Sequence, residues 1–257
     1  MSKAKILIVD LENAPNLAFV WGRWKQNIGD NQFVEKSYVM SFAAKWLGED
    51  HIYYEENRHN NDAGLIKKLY DLFDEADIVV GHNIDKFDLP IIFGRGLVHG
   101  FNPPSPFHTV DTLKVARKKF RFLSNSLAAL CDELGLTKKG KHKEFPGFEL
   151  WVQCLKQNDK AWKEMKEYNI QDILSTEELY LRLRPYTNNH VNVSRKVGDD
   201  VVACPSCGSE HVQMRGFYTA KTGLVYHRFQ CQECFSWSKT KRAEKDTVGQ
   251  NVLRIVI

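Results

Sequence analysis

The fold turns on ILIVDLENAP, residues 6–15, where four apolar residues run into two carboxylates separated by one leucine and then into a helix-hostile Asn-Ala-Pro. A short apolar run closed by such a break has the pattern of a strand buried on both faces. Side chains two apart on a strand share a face, so Asp10 and Glu12 can project together from the end of this one. Two like charges that close repel unless a cation lies between them. Taken alone, an Asp-x-Glu reads first as an acidic, solvent-facing strand end, and other segments must decide.

Downstream, FVEKSYVMSFAAKWL (33–47) and HIYYEE (51–56) are β-rich and bounded by Gly-Asp-Asn and Gly-Glu-Asp turn signals, which suggests a three-stranded antiparallel start. DAGLIKKLYDLFDEA (62–76) has helical spacing, and DIVVGHN (77–83) has strand composition followed by a glycine break. Helices dominate from there, including one from about Ala161 to Arg182 that stops before Pro185. Strands first and then alternation of strand and helix is the order of an α/β sheet of mixed direction with flanking helices. RPYTNNHVNVSRKVGDD (184–200) is polar and turn-rich, so residues 1–187 are expected to form one domain, 188–200 a linker and 201–257 a second, smaller domain.

Two further acidic motifs lie in the first domain. In VVGHNIDKFDLPII (79–92) a strand ends at Gly81, a loop crosses His82 and Asn83, and Asp88 opens a helix with Pro90 in its first turn. Asp88 can be read as a helix cap, or as a ligand at a strand end, where α/β sheets place their sites. In YNIQD (168–172), Tyr168 and Asp172 are one helical turn apart and share a face. Four carboxylates from three separated elements, joined by a tyrosine, are what two hard divalent cations about 4 Å apart require. Their natural third party is a phosphodiester.

D-x-E, then H-N-x-x-x-F-D, then Y-x-x-x-D, in this order, resembles the DEDD (DnaQ-like) 3′-5′ exonuclease superfamily in its tyrosine subtype. VDLENAPNLAFVWGRWKQNIG, HTVDTLKVARKKFRF and YNIQD are similar to the exonuclease-like proteins of tailed phages and prophages. The resemblance spans roughly residues 5 to 187 and implies a ribonuclease H-like fold. Carried over, it implies that Asp10 bridges two Mg²⁺ or Mn²⁺ ions, that Glu12 and Asp172 complete the site of the water-activating ion, that Asp88 serves the second ion partly through water, and that Tyr168 orients the attacking water. Asn13 stands where many relatives have threonine, a departure that touches substrate positioning rather than metal binding. Asp85 reads as a loop or capping residue and Asp111 as the cap of TLKVARKKF.

The chain has 257 residues, 43% of them hydrophobic and 12% aromatic, enough for a sizeable core, with a formal net charge of +4. No apolar run approaches a membrane span and MSKAKILIVD lacks an export signal, so a cytoplasmic protein, of a bacterium or a phage-infected host, is expected. LKVARKKFRF (113–122), TKKGKHK (137–143) and KTKRAEK (239–245) are basic clusters, either solvated faces or contacts to a polyanion. Phe19, Trp21 and Trp24 surround Arg23 and Lys25, an arrangement that can stack bases of a single strand or pack in a core.

Four of the six cysteines form two CxxC pairs, Cys204/Cys207 in CPSCGS and Cys231/Cys234 in CQECFS. In a chain without an export signal such pairs read as metal ligands, and four thiolates close a structural Zn²⁺ site. The surrounding strand-like segments resemble a zinc ribbon, with His211 and His227 superfluous as ligands. Phe235 replaces the usual glycine after the second pair, so a less regular second knuckle is expected. Lys221, Arg228, Lys239, Lys241 and Arg242 with Trp237 suit nucleic acid, although ribbons also dock proteins. Cys131 and Cys154 read as buried small hydrophobes. The reading that emerges is a metal-dependent 3′-5′ exonuclease acting on single-stranded DNA 3′ ends, with replication proteins as possible partners. An RNA 3′ exonuclease and a non-catalytic nucleic-acid-binding adaptor are the alternatives.

Overall fold

The structure is a computed structural model that describes residues 4–137, 144–187, 190–196 and 202–241. Most of the 137–143 cluster, Arg242 and the rest of the 239–245 cluster beyond Lys241 lie outside the described residues. The chain divides into two compact units, Lys5–Tyr180 and one that begins at Leu181.

The first unit is a five-stranded mixed sheet. Its centre is β1 (Ile6–Asn13), flanked by antiparallel β4 (Val39–Trp46) and parallel β6 (Ile78–Gly81). β5 (Ile52–Glu56) lies outside β4 and β7 (His108–Asp111) outside β6, giving the order β5-β4-β1-β6-β7. β1, β4 and β5 are the expected antiparallel trio. β1 runs on through both acids to Asn13, so Asp10 and Glu12 lie within the strand, opposite Ala43 and Ser41. The 33–47 segment is not one strand, because Phe33–Glu35 (β3) pairs instead with Leu17–Ala18 (β2) in a separate two-stranded excursion.

Both faces of β1 are buried as far as Val9, and only at its last residues does alternation separate core from carboxylates. Leu7, Val9 and Leu11 are buried against α1 (Ala63–Glu75) and α2 (Asp88–Val98), joining Leu65, Ile66, Leu69, Phe73, Leu89 and Ile92 in one cluster. Asp10 faces the other way, toward the long helix α6 (Asp159–Leu183), where Asn169 hydrogen-bonds it. A second cluster of Tyr38, Met40, Leu150, Cys154, Trp162 and Met165 ties α6 and α5 (Glu149–Leu155) to the first residues of β4. Cys131, in α4 (Leu127–Leu134), and Cys154 are both fully buried.

One buried charge cluster fixes α1, α2 and β4 together. Asp62, just before α1, accepts hydrogen bonds from the Val39 amide at 2.8 Å, from Arg95 Nε and Nη2 at 2.8 and 2.7 Å, and pairs with His99 Nε2 at 2.6 Å. Burial alone would push the Asp62 carboxyl up, but the Arg95, Val39 and His99 hydrogen bonds outweigh it and hold the group below its ordinary value.

The second unit contains a three-stranded antiparallel sheet in the order β10-β9-β8, formed by Val212–Thr219 (β8), Val225–Cys231 (β9) and Trp237–Lys239 (β10). These are the three strands expected of the ribbon.

Candidate active site and metal centre

Asp10 and Glu12 of β1 and Asp172 of α6 come together, each offering a carboxylate oxygen, with all three atoms within 4.8 Å of one another. Asp172 is 3% exposed and the other two are half-buried. Repulsion among three such charges must be carried by the framework, and the framework is visible. Asn169, fully buried on α6, donates from Nδ2 to Asp10 Oδ2 at 2.8 Å, while its Oδ1 accepts from Ser41 Oγ at 3.2 Å. Because Asn169 and Asp172 are three apart on one helix, they share a face. That spacing was the signal by which the sequence could have revealed Asn169, which the motif reading passed over.

Asp88 is not a member of this three-carboxylate group, but it sits beside the same strand. β1 pairs with β6 only as far as Ile8, and beyond that point the Leu11 amide, between Asp10 and Glu12, hydrogen-bonds the Asp88 carboxylate. The return of the chain at this point depends on Gly81, where a Cβ would stand 2.7 Å from Ile84 Cβ and 3.1 Å from the Val9 carbonyl oxygen. Two residues on, Asn83 takes a left-handed φ of 71°, which its short polar side chain tolerates, and its amide donates to Asp111 Oδ1 at 3.1 Å. Burial pushes the Asp88 carboxyl up to about 7; its own and the Leu11 amide oppose this, and the Asp111 charge adds to it.

Asp111 caps α3 (Thr112–Lys119) as expected, accepting from the Leu113 and Lys114 amides at 3.0 and 3.2 Å. Asp85 is a loop residue paired with Lys114 at 2.7 Å. Asp88 is the first residue of α2, and the N-cap position before it is held by Phe87, so Asp88 is not the N-cap residue. Tyr168 is half-buried one turn before Asp172, with its ring edge-on to Trp151 at 6.0 Å. Phe19, Trp21 and Trp24 are 76%, 99% and 75% exposed, which excludes core packing for the aromatic segment after β1. The Arg23 guanidinium lies over Trp24, 5.0 Å from the ring centre.

A family model described as the RNase_H superfamily matches residues 33–184, more than half of the sequence. The chain belongs to the RNase H superfamily. Among solved structures, the family B DNA polymerase of the hyperthermophilic archaeon Pyrobaculum calidifontis is similar in fold, with a TM-score of 0.55 and 17% identity. That match takes in 72% of this chain and 25% of the polymerase, so the chain corresponds to about a quarter of its length. No curated protein gives a significant match. Membership of the RNase H superfamily supports nuclease activity in general terms, and RNase H-like nucleases use divalent metals. The all-oxygen donor set of Asp10, Glu12 and Asp172 fits a hard divalent cation. Among the described residues, no helix is long and apolar enough to cross a membrane.

The cysteine site is of the opposite chemical type. The Sγ atoms of Cys204, Cys207, Cys231 and Cys234 all lie within 4.8 Å of one another, with 3.6 Å between Cys204 and Cys234 and between Cys207 and Cys231. A tetrahedron with arms of about 2.3 Å, the Zn–S length, has edges of about 3.8 Å, so the four sulfurs fit Zn²⁺. The two knuckles are built alike. Cys204 N donates to Ser209 O at 2.8 Å, and Cys231 N donates to Ser236 O at 3.0 Å. Gly208 and Phe235 occupy equivalent left-handed positions, with φ of 76° and 60°. The less regular second knuckle expected from Phe235 is therefore not found; the sulfur geometry imposes the turn and the phenylalanine adopts it.

Proposed function

We propose that residues 1–187 form a 3′-5′ exonuclease that hydrolyses single-stranded DNA from its 3′ end, followed by a linker at 188–200 and a zinc ribbon at 201–257. The observation that carries the reading is the convergence of Asp10, Glu12 and Asp172 oxygens within 4.8 Å at one end of the central strand of an RNase H-like sheet. Asp88, held by the Leu11 amide between the two β1 acids, supplies the fourth carboxylate. Bound divalent cations would supply an activated water and charge stabilisation for the leaving 3′ oxygen.

In this reading Asp10, Glu12 and Asp172 would hold the cations, and Asn169 fixes the direction of the Asp10 carboxylate. Asp88 would help to hold a second ion. Tyr168, steadied by the Trp151 ring, orients the attacking water. Phe19, Trp21 and Trp24, exposed in the segment that follows β1, are positioned in sequence to receive the unpaired bases of the strand. No side-chain nucleophile is needed, and no covalent intermediate forms.

The test is a gel assay on a 5′-labelled single-stranded DNA with Mg²⁺ or Mn²⁺, for the natural protein and for Asp10→Asn. The expected result is a ladder that shortens from the 3′ end, is lost in EDTA, and falls by about a thousandfold or more in the variant, the scale of losing a charge-stabilising group. Release of the label as a mononucleotide with no ladder, which marks cutting from the 5′ end, or equal cutting by Asp10→Asn, would overturn the assignment.

A further inference from the structure

The ribbon sheet has two unlike faces, and one of them has the composition of a ligand platform. Strand register puts Tyr218 opposite Tyr226, Lys239 opposite Arg228, and both Trp237 and Gln213 opposite Gln230. Because β9 alternates, Tyr226, Arg228 and Gln230 share a face, and their partners lie beside them. Tyr218, Trp237, Lys239 and Arg228 are all exposed on it.

The side chains of this face are already ordered as rings and cations. Lys239 Nζ lies 3.9 Å from the Tyr226 ring centre and 4.8 Å from that of Tyr218. The Arg228 guanidinium lies 5.0 Å from the Trp237 ring centre. Arg228 is fixed further by a bulge in β8, where Gly216 has φ of 81° and the register shifts between Met214 and Phe217. The Arg215 carbonyl left unpaired by that bulge accepts from Arg228 Nε and Nη2 at 3.2 and 3.0 Å. The guanidinium is thus held before any ligand arrives.

The charge pattern names the ligand. β8, β9 and β10 contain no aspartate or glutamate, while Arg215, Arg228 and Lys239 lie on them. Within residues 202–241 the acids are Glu210 and Glu233, both in the cysteine-bearing segments, and Glu233 pairs with His211 at 2.9 Å. Rings interleaved with cations on an acid-free sheet suit a ligand with π-faces and phosphates together. Tyr218 and Trp237 stand two strand spacings apart across the sheet and four residues apart along it, about 16 Å on the diagonal, a span that an extended single strand bridges with about three nucleotides. Bases held in a duplex would not offer their faces.

We infer that the Tyr218–Tyr226–Arg228–Trp237–Lys239 face of the ribbon binds single-stranded nucleic acid, stacking bases on Tyr218 and Trp237 and contacting phosphates through Lys239 and Arg228. The inference takes its ligand class from the nuclease reading, as a second hold on the same strand, but its test does not need cleavage.

The experiment is fluorescence anisotropy of a 5′-labelled 15-residue oligothymidylate with the full chain, in buffer without Mg²⁺, Mn²⁺ or chelator. Tyr218→Ala with Trp237→Ala is expected to weaken binding about tenfold or more, the scale of losing two stacked bases, whereas Tyr218→Phe with Trp237→Phe stays within about twofold. Lys239→Gln is expected to lower the slope of log Kd against log salt by about 0.7, the value for one phosphate contact on a single strand. Unchanged affinity in the double alanine variant, with thiol-released zinc equal to that of the natural protein, would overturn the inference. If that variant loses its zinc, Lys239→Gln decides, and an unchanged salt slope overturns it. Weakened binding in a protein that does not cut would uphold the ribbon face and sink the exonuclease reading.

Discussion

The carboxylate site and the cysteine site make opposite use of the fold. Asp10, Glu12 and Asp172 are some 160 residues apart at their extremes, and sheet, helix and buried Asn169 hold them together against their own repulsion. The four cysteines come from two short knuckles on a small sheet, where, among the described residues 202–241, Cys204, Cys231, Ser206 and Ser236 are the buried ones. In the first case the core positions the carboxylates. In the second, a metal would hold the segment, because a segment of this size buries too little apolar surface to fold unaided.

The sharpest way to break that contrast is to remove one ligand from each site. Cys231→Ser should abolish the ordered ribbon, since structural Zn²⁺ contributes about 10 kcal/mol or more to such modules. NMR amide dispersion should collapse for residues 202–241 and persist for residues 5–180; loss of both, or of neither, would contradict the division of labour. Asp10→Asn should leave the amide dispersion of both units intact, because its site does not hold the fold.

Next in size is the Asp62 cluster, which the contrast assigns to the framework. Asp62→Asn removes the charge that Arg95 and His99 face, and should cost about 3 kcal/mol of stability in urea unfolding at pH 7. The Asp62 carboxyl is held low, so its contribution is complete above the unfolded-state value near 4 and is lost as pH falls through the folded value. Stability of the natural protein should therefore drop below about pH 4 more steeply than that of the variant.

A smaller effect is expected at Asn169. Asn169→Ala leaves all four carboxylates in place but frees the direction of Asp10, and should lower kcat about tenfold with KM little changed. A proportional rise in KM instead would mean that Asn169 acts on substrate binding. Smallest is Phe235→Gly, which relieves a left-handed phenylalanine 62% exposed to solvent. Allowing for the added freedom of the unfolded chain, it should strengthen the ribbon by about 0.5 kcal/mol, read as roughly twofold tighter Zn²⁺ in competition with a chromophoric chelator.

Much of this was legible in the linear chain because the signals are local. The apolar run of β1, the turn signals around β4 and β5, the CxxC pairs and the capping role of Asp111 all depend on neighbours within a few residues. The excursion of β2 and β3 was missed because Phe33–Glu35 has the same β composition as the strand that follows, and composition does not say which partner a strand takes. Asn169 was missed because its spacing from Asp172 marks a shared face but not that its amide meets Asp10, 159 residues away, and Asp62 because its partners Val39, Arg95 and His99 are 23 to 37 residues away.

The sequence by itself determined the donor chemistry on offer: carboxylates in three motifs, thiols in two, and the periodicity that puts Asp10 and Glu12 on one face of β1 with Leu11 on the other. Only the tertiary structure decided that Asp172 closes on that pair while Asp88 approaches through the Leu11 amide, and that the aromatics after β1 face solvent. The reason is physical. Which residues can bind a cation is a property of their atoms, but whether like charges stay within 4.8 Å depends on packing and hydrogen bonds contributed from elsewhere in the chain.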